Sequence, residues 1–268
     1  MIPVPSNVVS AGAALWVALF ASGAAAEIPQ AAFDAQIVVL GEQHDNPDHH
    51  ARQAVWVAAL EPKALVFEML TERQAVAAND PWETQDGLDA ATGWSETSWP
   101  AFAMYFPIFD AARDAVIYGA GVPRPALRAQ LETPLATHPL AAKFGLDQPA
   151  DPEEQLAREE LQAQAHCDAL PEEMLPVMVN AQRIRDAALA DAALRALDHT
   201  GGPVVVITGN GHARADWGMP ALLAHAAPDV PVFALAQGED GGAVGGAFSL
   251  TLDAPAPVRG DPCVAFTQ

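Results

Sequence analysis

Two short apolar runs, each ending in Gly-x-x-His, constrain this chain more than any other feature. The first lies in QIVVLGEQHDNPDHHAR, residues 36–52, where an apolar run at 37–40 leads to Gly41 and His44. The second lies in VVVITGNGHAR, residues 204–214, where an apolar run leads to Gly209 and His212. Each reads as a buried strand ended by a glycine turn. The C-terminal end of such a strand is where an α/β sheet places its ligands and reacting groups. Two units so far apart in sequence meet if both strands lie in one parallel sheet. Glu42, Asp45, Asp48, His49 and His50 crowd around the first histidine. Pro47 fits the first turn of a helix running to residue 60.

Other apolar runs supply the remaining strands: residues 64–67, ending in Glu68; 115–118, ending in a glycine-containing turn; and 230–235. Helical pattern follows the first three strands. Strands alternating with helices predict an α/β fold with a mostly parallel sheet and helices on both faces. Residues 248–252 and 263–267 are expected as antiparallel edge strands. Residues 125–198 carry helical pattern at 153–166 and 172–197 and several prolines, but no clear strand. They read as a helical insert forming a lid over the site. Residues 84–99, polar and tryptophan-bearing, are expected as a loop or short helix covering it.

The chain has 268 residues and a formal net charge of −21. That acidity serves solubility and argues against nucleic acid or an anionic membrane surface as partner, since both need a basic patch. Residues 8–26 are small and apolar and end in Ala24-Ala25-Ala26, an A-x-A cleavage site. Residues 1–26 therefore read as a secretory signal peptide, and residues 27–268 as a single domain, periplasmic or secreted, with no span in the mature chain. An uncleaved anchor is the alternative. No cysteine stands at the junction for a lipid anchor. The two cysteines, Cys167 and Cys263, form one disulfide in an oxidising compartment or stay as two unpaired thiols, and the export signal favours the bond.

In a parallel sheet His44, His212 and Glu68 project from one edge. Two imidazoles and a carboxylate form a set suited to a divalent metal ion, with Glu42 and His50 near enough to join it. Such an ion acidifies bound water for hydrolysis. The simpler reading of either histidine alone is a helix cap or a bond to a backbone carbonyl. Arg124 and Arg214 follow strand ends, where they hold a carboxylate or propionate or make an internal salt bridge. Gln182 and Asp186, four apart, share a helix face read as solvated, with Arg185 pointing elsewhere. Of the two tyrosines, Tyr118 reads as core. Tyr105 lies in an aromatic-rich segment, and a tyrosine can ligate haem iron.

The segments GEQHDNPDHH, FEM at 67–69, WPAFAMYFPIFDAAR, AQRIRDAALA and GNGHARADWGMP together resemble the ChaN-type haem-binding proteins. These belong to the Tiki/TraB/erythromycin-esterase-like superfamily. The resemblance runs in order from about residue 36 to about 235. It implies an α/β core, a periplasmic or surface location, and haem or iron acquisition, with haem bound at a homodimer interface. Superfamily relatives include metal-dependent proteases and hydrolases. Their paired GxxH motifs and glutamate correspond to His44, His212 and Glu68. The chain departs from the pattern in lacking the lipidation cysteine and in carrying Ala120-Gly121 where an asparagine usually precedes the Leu-Pro-Arg.

Two functions follow as expectations. The first is an exported haem-binding protein of haem or iron uptake, with tyrosine or histidine at iron and arginine at the propionates. The second is a metal-dependent hydrolase in which His44, Glu68 and His212 hold the ion and Glu42 or His50 is the base. A binding module without catalysis is the plainer third. An exposed apolar patch near Tyr105 or the insert favours haem; convergence of His44, Glu68 and His212 is required for a metal.

Overall fold

The computed structural model describes residues 28–261 and 263–264. The expected leader, residues 1–26, and residues 265–267 of the last expected strand lie outside the described residues. Six strands form one sheet: β1 (Ile37–Glu42), β2 (Ala64–Phe67), β3 (Val116–Gly119), β4 (Val204–Gly209), β5 (Val232–Glu239) and β6 (Leu250–Ala254). Their order is β3-β2-β4-β1-β5-β6, and every pair is parallel. β1 and β4 are neighbours, with Gly41 opposite Thr208 and Glu42 opposite Gly209. The two Gly-x-x-His units thus leave the sheet side by side.

Both faces of the sheet are covered, which is why the strands read as unbroken apolar runs. Val38, Leu40, Leu65 and Phe67 face one layer, and Ile37, Val39, Ala64 and Val66 face the other. The first layer comprises α1 (Pro47–Leu60), α2 (Glu72–Ala78), α3 (Gln85–Thr92) and α4 (Phe102–Asp110). It buries Trp56, Trp94, Tyr105 and Phe109, and Phe67 stacks on Phe109. Full burial of one such apolar side chain stabilises by about 1.5–3 kcal/mol.

The insert supplies α5 (Arg124–Leu131), α6 (Pro152–Ala165) and α7 (Leu175–Thr200), with single turns between them. α7 and α8 (Met219–Ala226) cover the second face. Buried Ala187, Ala190, Ala193 and Ala196 bring the α7 backbone close to the sheet. Residues 84–99 hold α3 and the 3-10 turn Trp94–Glu96.

The helices begin where the sequence signals them. Asn46 caps α1, its side chain accepting from the backbone of Asp48 and His49, and Pro47 opens the first turn. Thr71 and Gln74 form a capping box at α2. On the β3 edge, the Asn79 side chain both donates to the Ile117 carbonyl and accepts from the Ile117 amide. That pairing occupies edge groups otherwise open to another strand.

The far edge differs from expectation. β6 runs parallel to β5, with Leu235 opposite Leu250, not antiparallel. Residues 240–249 turn through the left-handed Gly241 and carry the chain back to the start of β5 before β6 begins. Cys263 and Val264 form a 3-10 turn rather than a strand. Cys263 is disulfide-bonded to Cys167 beyond the end of α6. Among the described residues no helix is long and apolar enough to cross a membrane.

Candidate functional site

The GxxH glycines are required by close approach. A Cβ on Gly41 would lie 2.6 Å from Asn210 Oδ1 and 2.7 Å from the Leu235 carbonyl. A Cβ on Gly209 would meet His44 Nε2 at 3.0 Å. The first motif's histidine therefore packs directly on the backbone of the second motif's glycine.

Glu42 lies beneath His44 and is almost fully buried. Its Oε1 is 2.7 Å from His44 Nδ1 and accepts from the Tyr105 hydroxyl at 2.6 Å. Its Oε2 accepts from Gln53 at 2.8 Å and lies 3.3 Å from His50 Nδ1. Burial pushes the Glu42 pKa up, but the hydrogen bonds and charges of His44 and His50 outweigh it and hold the pKa at about 2. An ionised carboxylate only accepts, so His44 Nδ1 carries a hydrogen and its Nε2 is the outward nitrogen. Burial lowers the His44 pKa, whereas the Glu42 hydrogen bond and the charges of Glu68, Glu42 and Asp45 raise it, to about 9 in all.

His50 has no exposed surface. Its Nε2 faces the His44 carbonyl at 2.8 Å, and its Nδ1 faces Gln53 Oε1 at 3.2 Å. Both neighbours accept, so both ring nitrogens donate. Burial opposes that charge and Glu42 favours it, with the pKa raised on balance. His49 is the opposite case. Its Nδ1 accepts from the Gln43 amide and its Nε2 donates to the Gly238 carbonyl, the pattern of a neutral ring, and burial lowers its pKa.

A matching pair stands across the edge. His212 Nδ1 is 2.6 Å from Asp186 Oδ1, which α7 brings in from the insert. Burial disfavours the His212 charge, but Glu68 and Asp186 raise its pKa overall. Glu68 lies between the two histidines, Oε1 3.6 Å from His212 Nε2 and Oε2 3.9 Å from His44 Nε2. Its Oε2 accepts from the Thr208 hydroxyl at 2.7 Å and the Gly209 amide at 2.9 Å. Burial works to raise the Glu68 pKa, and these neighbours lower it.

His44, Glu68 and His212 therefore lie together at one sheet edge. Even so, among the described residues no three His, Cys, Asp or Glu side chains are arranged to hold a metal ion. Each histidine is paired with its own carboxylate, and the Glu68 oxygen nearest His44 is engaged by Thr208 and Gly209. The three side chains line a cleft of about 530 Å³, walled by Leu161 of α6, Val179 and Arg185 of α7, and Trp217.

The other polar residues singled out in the sequence take varied places. Tyr105 has no exposed surface, and its hydroxyl is held by Glu42, so it supports the site from beneath instead of presenting oxygen to a ligand. Glu42 and His50 are likewise buried, Glu42 at the floor of the histidine cleft with both its oxygens already engaged. Arg214 makes the internal salt bridge, at 2.9 and 2.6 Å to Asp216, and lies over the Trp217 ring. Arg124 lines an adjoining cleft with Arg185 and Trp99, whose ring meets the His44 edge at 4.9 Å. Gln182, Arg185 and Asp186, read as solvated or turned away, all line the histidine cleft.

A solved structure titled for cofacial haem binding to ChaN of Campylobacter jejuni shares this fold, with a TM-score of 0.59 and 18% identity over 76% of this chain and 82% of that one. The type III effector HopBA1 gives a TM-score of 0.45 at 13% identity, covering 85% and 91% of the two chains. An erythromycin esterase mutant in an open conformation gives 0.45 at 10%, covering 76% and 70%. No curated protein sequence matches the chain. Residues 28–223 match the family described as haem-binding uptake, Tiki superfamily, ChaN, and the chain belongs to that family.

Proposed function

We propose that the protein binds haem in the cleft at the C-terminal ends of β1 and β4, as an exported component of haem or iron uptake. The observation that carries this is the orientation of His44. Its Nδ1 is tied to Glu42, its Nε2 points into the cleft toward Glu68, and its side chain is 32% exposed. A carboxylate behind an imidazole fixes the ring and raises the basicity of the outward nitrogen, as in histidines that ligate metals. Trp99 against His44, with Leu161, Val179 and Trp217 on the walls, gives a flat macrocycle apolar contact. Leu156 and Leu161 leave much of their surface exposed on α6, and Leu161 lines the cleft, which supports apolar contact with a macrocycle there. These donors fit haem: His44 would offer an imidazole nitrogen to its iron, and Arg185 would pair with a propionate.

The hydrolase alternative is less well served, because its expected bases, Glu42 and His50, are buried. Export is supported by the apolar leader with its A-x-A site and by the Cys167–Cys263 disulfide, a bond that persists in oxidising compartments.

An absorbance titration of the purified protein with hemin tests the binding. The expected result is a saturable Soret shift, altered in His44→Ala and preserved in Tyr105→Phe. A wild-type spectrum without saturation overturns haem binding, and an unaltered His44→Ala spectrum moves the iron away from His44. Light scattering with and without hemin tests the homodimer. Intact mass of the exported protein tests cleavage before Glu27.

A further inference from the structure

The charges around the site do not balance locally. The chain carries 13 Lys and Arg against 34 Asp and Glu. At the histidine cleft Arg158 is paired with Glu154 at 2.6 Å and Arg214 with Asp216 at 2.6 Å. Arg124 and Arg185 form no ion pair among the described residues, yet both line one cleft of about 450 Å³ beside the histidines. Arg185 also lines the histidine cleft, so the two spaces share a wall. Arg185 is half-buried; burial acts to lower its pKa, the Glu68 and Asp186 charges act to raise it, and the Arg124 charge lowers it further. Two guanidinium groups on one cleft wall, neither in a direct ion pair, offer hydrogen-bond donors to an anion.

The remaining walls suit an organic anion. Trp99 and Met69 are apolar, and Ser98 offers a hydroxyl. Glu68 is the one carboxylate on the wall, and it is flanked by His44 and His212. α5 opens at Arg124 without a side-chain cap. A planar fork facing a planar group favours a carboxylate.

We propose that the Arg124–Arg185 cleft is a carboxylate-binding pocket adjoining the histidine site. This deepens the haem reading if the carboxylate is a propionate, and stands apart from it if the ligand is a small organic acid.

The test compares hemin with hemin dimethyl ester, and separately titrates succinate by calorimetry. Each is run on wild type, Arg124→Ala, Arg124→Glu and Arg185→Ala. Arg124 is exposed, so its variants keep the test decisive if Arg185→Ala fails to fold. For a propionate, the ester binds wild type roughly tenfold or more weakly than hemin, and the difference collapses in the Arg124 variants. For a small acid, succinate binds wild type and is lost in Arg124→Glu. If hemin does not bind but succinate binding depends on Arg124, the haem reading fails and the pocket stands. Equal binding of hemin and its ester, together with no arginine-dependent succinate binding, overturns the pocket. Absence of both hemin and succinate binding overturns it too.

Discussion

His212 Nδ1 lies 2.6 Å from Asp186 Oδ1, so a helix of the insert supplies the carboxylate that orients the second motif's histidine. The first motif is self-contained by contrast, since Glu42 and His44 are two residues apart. Both histidines thus present Nε2 toward Glu68, each with a buried acid behind it.

Replacing Asp186 by alanine leaves the His212 Nδ1 hydrogen buried without an acceptor. Breaking such a pair from one side costs about 3–5 kcal/mol. Chemical denaturation is expected to show a loss of that order. In Asp186→Asn, the imidazole pKa of His212, followed by NMR, is expected to fall, because a charge that raises it is gone.

Tyr105 is expected to behave as a structural residue. Tyr105→Phe keeps the ring packed on Trp94 and His50 and removes one donor to Glu42. The stability loss is expected at about 1–3 kcal/mol, the range for a hydrogen bond to a buried charge. A loss near zero by denaturant titration would contradict the Glu42 contact.

Stability is expected to peak between about pH 4.5 and 6.5. Glu42 has its folded pKa lowered from 4.5 to about 2, so its contribution is complete above 4.5 and lost as pH falls toward 2. His44 has its folded pKa raised from 6.5 to about 9, so its contribution is complete below 6.5 and lost as pH rises toward 9. The two shifts describe largely one ion pair and do not add. Asp186, whose pKa is raised by burial, works against the acid limb. Melting temperature against pH in wild type and Glu42→Gln checks the assignment, with a shallower acid limb expected in the variant.

The disulfide is expected to contribute substantially. It closes a loop with a sequence separation of 96 residues. Chain entropy puts the stabilisation from a loop of that size at about 4–5 kcal/mol. Reduction also frees the C-terminal segment at one end, leaving it tied by Arg259 to Asp45 and Glu239. Denaturation midpoints of wild type and the Cys167→Ser/Cys263→Ser variant provide the comparison, and equal midpoints would refute the contribution.

The amino-acid sequence by itself determined the local elements and their juxtaposition. Apolar runs set β1, β2 and β4 almost to the residue, because strands buried on both faces need no alternation. Asn46-Pro47 started α1, and the two Gly-x-x-His units located the site, because such turns follow parallel strands. What only the tertiary structure decided is which polar groups are buried and against whom. Tyr105 and Asp186 occupy apolar and helical stretches whose sequence looks the same whether the side chain faces solvent, core or cleft. Their partners, Glu42 and His212, lie 63 and 26 residues away, beyond any local pattern. The direction of β6 was likewise set by pairing with β5 and not by its own residues. Parallel and antiparallel edges bury the same alternating side chains and differ in the path of residues 240–249.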